Sequence, residues 1–155
     1  MGNQSQQVPP QPSATAPKKS RKKLFVGIGA LVIVLIIVAA ALSAPTSSTI
    51  VSSGTVDTIY AGHIEVYKFS LSNQATVSGT VSATNGITIY IMNPTSYAQF
   101  NSSGSASSYA YTTGHVSSGT ISTVLPAGTY YLVLENTNLV TTSSVTFTSN
   151  LVAST

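Results

Sequence analysis

The chain has no cysteine, and charged residues make up only 6% of its 155 positions. Without cysteine there are no disulfides, no thiolate zinc sites, no thiol nucleophile and no lipid attachment through sulfur. Acids are almost as scarce: Asp57, Glu65 and Glu135 are the only carboxylates, and His63 and His115 the only imidazoles. A hydrolase triad needs serine, histidine and acid brought together beside an oxyanion hole. Serine is too abundant here to single one out, and no G-x-S-x-G nucleophile elbow occurs. His63 and Glu65 share a strand face at i, i+2, but a turn histidine beside a solvated glutamate accounts for both. Zinc held by His63 and His115 would need a further ligand. The only calcium candidates are Asp57, Glu65 and Glu135, completed by backbone carbonyls. The expectation is a non-enzyme without a cofactor.

What the chain does have is one long apolar run. Residues 24–44 read LFVGIGALVIVLIIVAAALSA, without a charge, directly after Lys18, Lys19, Arg21, Lys22 and Lys23. At about 1.5 Å per helical residue, ~20 residues cross a ~30 Å hydrocarbon core. The next basic residue is Lys68. Positive charge stays on the cytoplasmic side, so the expected topology is a single pass with the N-terminus inside and the C-terminal part outside. The partner implied for residues 24–44 is the lipid bilayer. Two rival readings compete. A cleaved signal peptide would use Ala39, Ala40 and Ala41 after a shorter apolar core. A pilin-type leader has a similar layout, but Lys23 stands where a small residue is wanted. The start is near a myristoylation signal, yet Gln6 replaces the required Ser or Thr.

The sequence pI of 9.3 arises from the juxtamembrane cluster. From Pro45 onward, Lys68 alone faces Asp57, Glu65 and Glu135, so the outer part is mildly acidic and nucleic acid is not an expected partner. Its surface is Ser, Thr and Asn rather than charge, which suits an acidic, salty, hot or glycosylated exterior; an archaeal cell surface is the expected setting. Asn101-Ser102-Ser103 is the one outward glycosylation sequon, because Pro94 disqualifies Asn93.

Four segments follow. Residues 1–23, rich in Gln, Pro and Ser, form a disordered cytoplasmic tail. Residues 24–44 are the membrane helix, ended before Pro45, and 45–52 a tether. Residues 53–155 form the folded domain. From Thr49 the hydrophobic period is two, the mark of half-buried strands, with Gly54 a kink. Tyr67, Phe69 and Leu71 share one face; so do Val77, Gly79, Val81 and Ala83; so do Ile87, Ile89 and Ile91. Thr84-Asn85-Gly86 predicts a hairpin turn. Asn93-Pro94 predicts a helical turn closing an end of the sandwich, with a loop over 101–108. Residues 109–113, 116–125 and 129–135, then a last strand holding Val145, Phe147 and Leu151, complete about eight strands. That spacing predicts an all-β antiparallel sandwich with Greek-key or jelly-roll links.

Three stretches carry a family resemblance: Tyr67-Lys68-Phe69-Ser70-Leu71, Ile87-Thr88-Ile89-Tyr90-Ile91, and Leu125-Pro126-Ala127-Gly128-Thr129-Tyr130-Tyr131-Leu132-Val133. Together they resemble pre-peptidase C-terminal (PPC) domains and related GOLD-like β-sandwiches, over roughly residues 53–152. The resemblance implies one jelly-roll core and a binding module appended to surface or secreted proteins. Some such domains bind calcium, but Thr88 and Tyr90 stand where an acid often lies.

An exposed tyrosine offers apolar contact and a hydroxyl, which suits protein partners or stacking on sugars. Tyr97, Tyr109 and Tyr111 are the candidate contacts, with Tyr109 and Tyr111 read as sharing a strand face. The expectation is a membrane-anchored surface module for an unknown surface protein or glycan. The alternatives are a self-associating subunit of a filament or pilin-like assembly, and a carbohydrate-binding module.

Overall fold

The computed structural model describes the backbone of residues 36–38 and all of residues 46–155. The strands are β1 (Ile36–Val38), β2 (Ser47–Val51), β3 (Val56–Ile59), β4 (Ile64–Leu71), β5 (Ala75–Met92), β6 (Tyr111–Leu125), β7 (Gly128–Glu135), β8 (Ser143–Phe147) and β9 (Leu151–Ser154). The helix α1 is Pro94–Ser103.

Strand pairing builds two antiparallel layers that share one long ribbon. The first half of β5 pairs with β9 and β8, which pair in turn with β2 and β3. The second half of β5 pairs with β7, which pairs with β4. β6 follows β5 through both layers. The result is an antiparallel β-sandwich, as the period of two predicts. Between the layers lie Phe69, Phe147, Ile87, Ile89, Ile121, Leu132, Leu134 and Leu151, each under 2% exposed. Burying a side chain of this size stabilises by roughly 1.5–3 kcal/mol, so the apolar core suffices without disulfides.

Asn85-Gly86 is not a hairpin. The strands on either side of it do not pair with each other; β5 bends there and crosses from one layer to the other, with β6 bending beside it. Four residues of β5 are passed over between the pairs Ser82–Ser118 and Ile87–Val116. Gly86 sits at φ +73°, and a Cβ there would fall 2.3 Å from His115 Nε2. The positive φ suited to a hairpin turn serves a corner equally well.

The tether is shorter than expected. Ser47–Val51 is strand β2, held by β9, because Ile50 and Val51 have a core to enter. A turn with Gly54 at φ +80° separates β2 from β3. Likewise residues 148–150 divide the expected last strand into β8 and β9. Asn93 caps α1 through Oδ1, which accepts from the Ser96 N–H at 2.8 Å. The helix takes in residues 101–103 and ends at Gly104. It lies on the outer face of the β4–β7–β5 layer rather than across an end, because Val66, Met92 and Val133 point outward there and Phe100 covers them.

The tail, the basic cluster and most of the apolar run lie outside the described residues. Within the run, Ile36–Val38 is a strand paired parallel to Phe69–Leu71 of β4, so these three residues depart from the expected helix. β-branched side chains favour extended backbone, and β4 is otherwise the edge of its layer. Among the described residues no helix is long and apolar enough to cross a membrane.

Candidate interaction surface at the distal end

β2 starts beside the end of β9, with Thr155 N donating to Thr46 O at 3.1 Å. β2 and β3 then run the length of their layer. The turn after β3, at residues 60–63, therefore lies at the end of the sandwich opposite Ser47. Residues 136–142, between β7 and β8, lie beside it.

Asn136, 0% exposed, joins the two connections. Its Nδ2 donates to the carbonyls of Ile59 at 3.0 Å, Tyr60 at 3.3 Å and Thr141 at 2.8 Å. Its Oδ1 accepts from Asn138 N, and Asn138 Oδ1 accepts from the N–H groups of Val140 and Thr141. Gly62 N donates to the carbonyls of Asn136 and Asn138. A buried amide with its hydrogen bonds satisfied fixes both loops without a regular ladder.

This frame holds apolar side chains out in solvent. Tyr60 is 64% exposed, Leu139 77% and Val140 88%. The His63 ring stands edge-on to Tyr60, and its Nδ1 lies 2.9 Å from Ala61 O. The neighbouring corner is tied in as well. Asn85 Nδ2 donates to Thr142 O at 2.6 Å, and His115 Nδ1 lies 3.2 Å from Thr137 Oγ1. Exposed apolar side chains on loops tied together by Asn136 offer contact area at a lower ordering cost than an untied loop would.

The tyrosines singled out from the sequence are more enclosed. Tyr97 stacks on Tyr131 at 4.1 Å, and Lys68 Nζ lies 5.8 Å from the Tyr131 ring centre. Tyr109 packs on Tyr90 at 4.8 Å, and its hydroxyl accepts from Ala106 N. Tyr111 does not share a face with Tyr109. It packs on the inner core, while Tyr109 belongs to the outer cluster under α1. The Tyr111 hydroxyl donates to Thr120 O at 2.6 Å. Burial raises the phenol pKa of Tyr97 and Tyr111 above the usual value. Asn101 is exposed on α1.

The three carboxylates are not brought together. Asp57 and Glu65 meet at the seam between the layers, where the Tyr67 hydroxyl donates to Asp57 Oδ2. Glu65 Oε1 is buried there without a hydrogen-bond partner. Burial first, and the Asp57 charge second, raise the Glu65 pKa above its ordinary value. Glu135 faces the other side of its layer and accepts from the Tyr90 hydroxyl at 3.0 Å. Burial, reinforced by Glu135, raises the Tyr90 pKa. Among the described residues no three His, Cys, Asp or Glu side chains are grouped to hold a metal.

Sequence reasoning missed Leu139 and Val140. The available signal was an apolar pair standing between Asn138 and Thr141, inside a polar connection with no alternating partners.

No protein-family model matches the chain, and no curated protein matches it. Among solved structures, the pre-peptidase C-terminal domain of a collagenase from Bacillus anthracis is similar, with a TM-score of 0.45 at 15% sequence identity, covering 75% of this chain and 94% of that domain.

Proposed function

We propose that the chain is a single-pass, membrane-anchored β-sandwich that acts as a non-catalytic interaction module at the cell surface. Residues 24–44 anchor it, the basic cluster keeps the N-terminus in the cytoplasm, and the sandwich projects outward. The observation that carries this reading is the apolar tip of Tyr60, Leu139 and Val140. It lies at the end of the sandwich opposite Ser47, so an anchor at residues 24–44 would leave it facing outward, where a partner would be met. Apolar side chains exposed to solvent raise the free energy of the unbound surface and are relieved on docking. The Asn101 sequon, exposed on α1, would accept a glycan without covering the tip.

The test uses cells displaying the full chain. Leu139→Asp with Val140→Asp should abolish adhesion of those cells while surface density and melting temperature stay unchanged. Equal adhesion by the variant would refute the tip as the contact.

A glycan-binding reading draws on Tyr97 and Tyr131, whose stacked rings are only half-buried. Affinity for polysaccharide that is lost in Tyr97→Ala would favour it over the tip.

A further inference from the structure

The sandwich has three strand edges, and they differ in how they are protected. Edge strands present unpaired N–H and C=O groups, and folded proteins blunt them with charge, proline, bulges or a covering segment. The β2–β3 edge is broken by the turn at residues 52–55 and carries Asp57. The β4 edge carries Glu65 and Lys68 and is covered at Phe69–Leu71 by β1. β6 shifts register against β5 only in its first half, before Ser118; residues 118–125 pair with β5 without a break and have none of these devices. Over fifteen residues, YTTGHVSSGTISTVL, β6 holds no Asp, Glu, Lys, Arg or Pro. Among the described residues it pairs with β5 alone.

The second half of β6 also has the side-chain pattern of an inner strand. Gly119, Ile121 and Leu125 are buried toward the core, and Ser118, Thr120, Ser122 and Val124 face out. Val124 is 56% exposed although it sits in a regular strand. The geometry points to a second copy of this chain as the partner, pairing antiparallel with residues 118–125 about a two-fold axis.

The sequence is self-complementary in that arrangement. With the axis near Ile121, Thr120 stands opposite Ser122 of the other copy and Ser118 opposite Val124. In antiparallel pairing, opposite residues lie on the same face, so core-facing Ile121 meets its own copy, the Thr120 and Ser122 hydroxyls meet each other, and exposed Ser118 meets exposed Val124. No like charges face each other, because the segment has none. Such a pair joins two four-stranded layers into one continuous sheet and covers the second half of the β6 edge in both copies. Two-fold pairing of this kind is closed, which gives a dimer rather than a fibre. The Tyr111 hydroxyl on the Thr120 carbonyl leaves that oxygen a second lone pair for the partner. The pairing is independent of the distal tip and of whether the apolar run stays in the membrane, so its failure would leave the proposed anchoring and adhesion standing.

The absence of cysteine makes the test direct. Single variants Ser118→Cys, Thr120→Cys, Ser122→Cys and Val124→Cys in the full-length protein are oxidised in native membranes, with Thr49→Cys on the β2 edge as the reference. The expected result is disulfide dimer formation that peaks at one or two adjacent β6 positions, at least about tenfold above Thr49→Cys. Adding Lys at two other outward β6 positions should cut that crosslinking about tenfold with an unchanged far-ultraviolet circular dichroism spectrum. Crosslinking that is no greater along β6 than at Thr49, or that survives the lysines in a folded protein, would overturn the proposal. Should the lysine variants fail to fold, the cysteine pattern alone decides.

Discussion

Glu65 and Asn136 show how much depends on single polar side chains in a domain with so few charges. The Glu65 carboxyl is raised by burial and by Asp57, so the folded state holds its proton to higher pH than the unfolded chain does. The contribution to stability is therefore complete below the ordinary glutamate value near 4.5 and is lost as pH rises through the raised folded value. Melting temperature should fall with rising pH across that window, and Glu65→Gln should flatten the slope. An unchanged slope in the variant would place the titration elsewhere. The direction favours an acidic exterior, in keeping with the uncharged Ser and Thr surface. Asn136→Ala leaves three backbone carbonyls short of a donor. At about 1–3 kcal/mol for a buried unsatisfied group, the variant should lose about 3 kcal/mol in urea unfolding. Hydrogen exchange at residues 60–63 and 136–142 should quicken before that of the core strands.

Most elements could be read from the alternation of apolar and polar residues, and the places where that reading stopped have physical causes. A period of two locates Tyr67, Phe69 and Leu71 on the core face. It cannot say whether a strand stays in one layer. β5 carries the same alternation before and after Asn85-Gly86, so the crossover was legible only as a break of the kind a hairpin also needs. Tyr109 and Tyr111 were paired by spacing, but β6 begins at Tyr111, and without a strand through Tyr109 the i, i+2 rule does not hold. α1 was legible from Asn93-Pro94, whereas its seat on the outer face followed from Val66, Met92 and Val133, which only the register places side by side. The corner gives an element-scale prediction. Gly86→Ala introduces both a strained positive φ and the clash with His115, and should destabilise by about 1–3 kcal/mol. Gly86→Ala combined with His115→Ala should recover the part due to the clash and not the part due to φ. Equal losses for the single and double variants would assign the whole effect to the backbone.

For the whole molecule, fold and placement rest on different residues. The sandwich follows from residues 46–155, and the proposed placement at the cell surface rests on the charge-free run and the basic cluster before it. Those two parts compete for Ile36–Val38, which cannot both lie in a membrane helix and extend along β4. If the run spans the bilayer, the end of β4 is left open near the membrane surface; if it pairs with β4, the anchor is lost. Intact mass of the protein recovered from washed membranes, combined with protease treatment of whole cells, separates the two most directly. The account predicts a full-length mass in the membrane fraction, with the sandwich cut or shaved by protease added outside. A mass beginning near Leu42 in the soluble fraction, or a sandwich protected in intact cells, would contradict it.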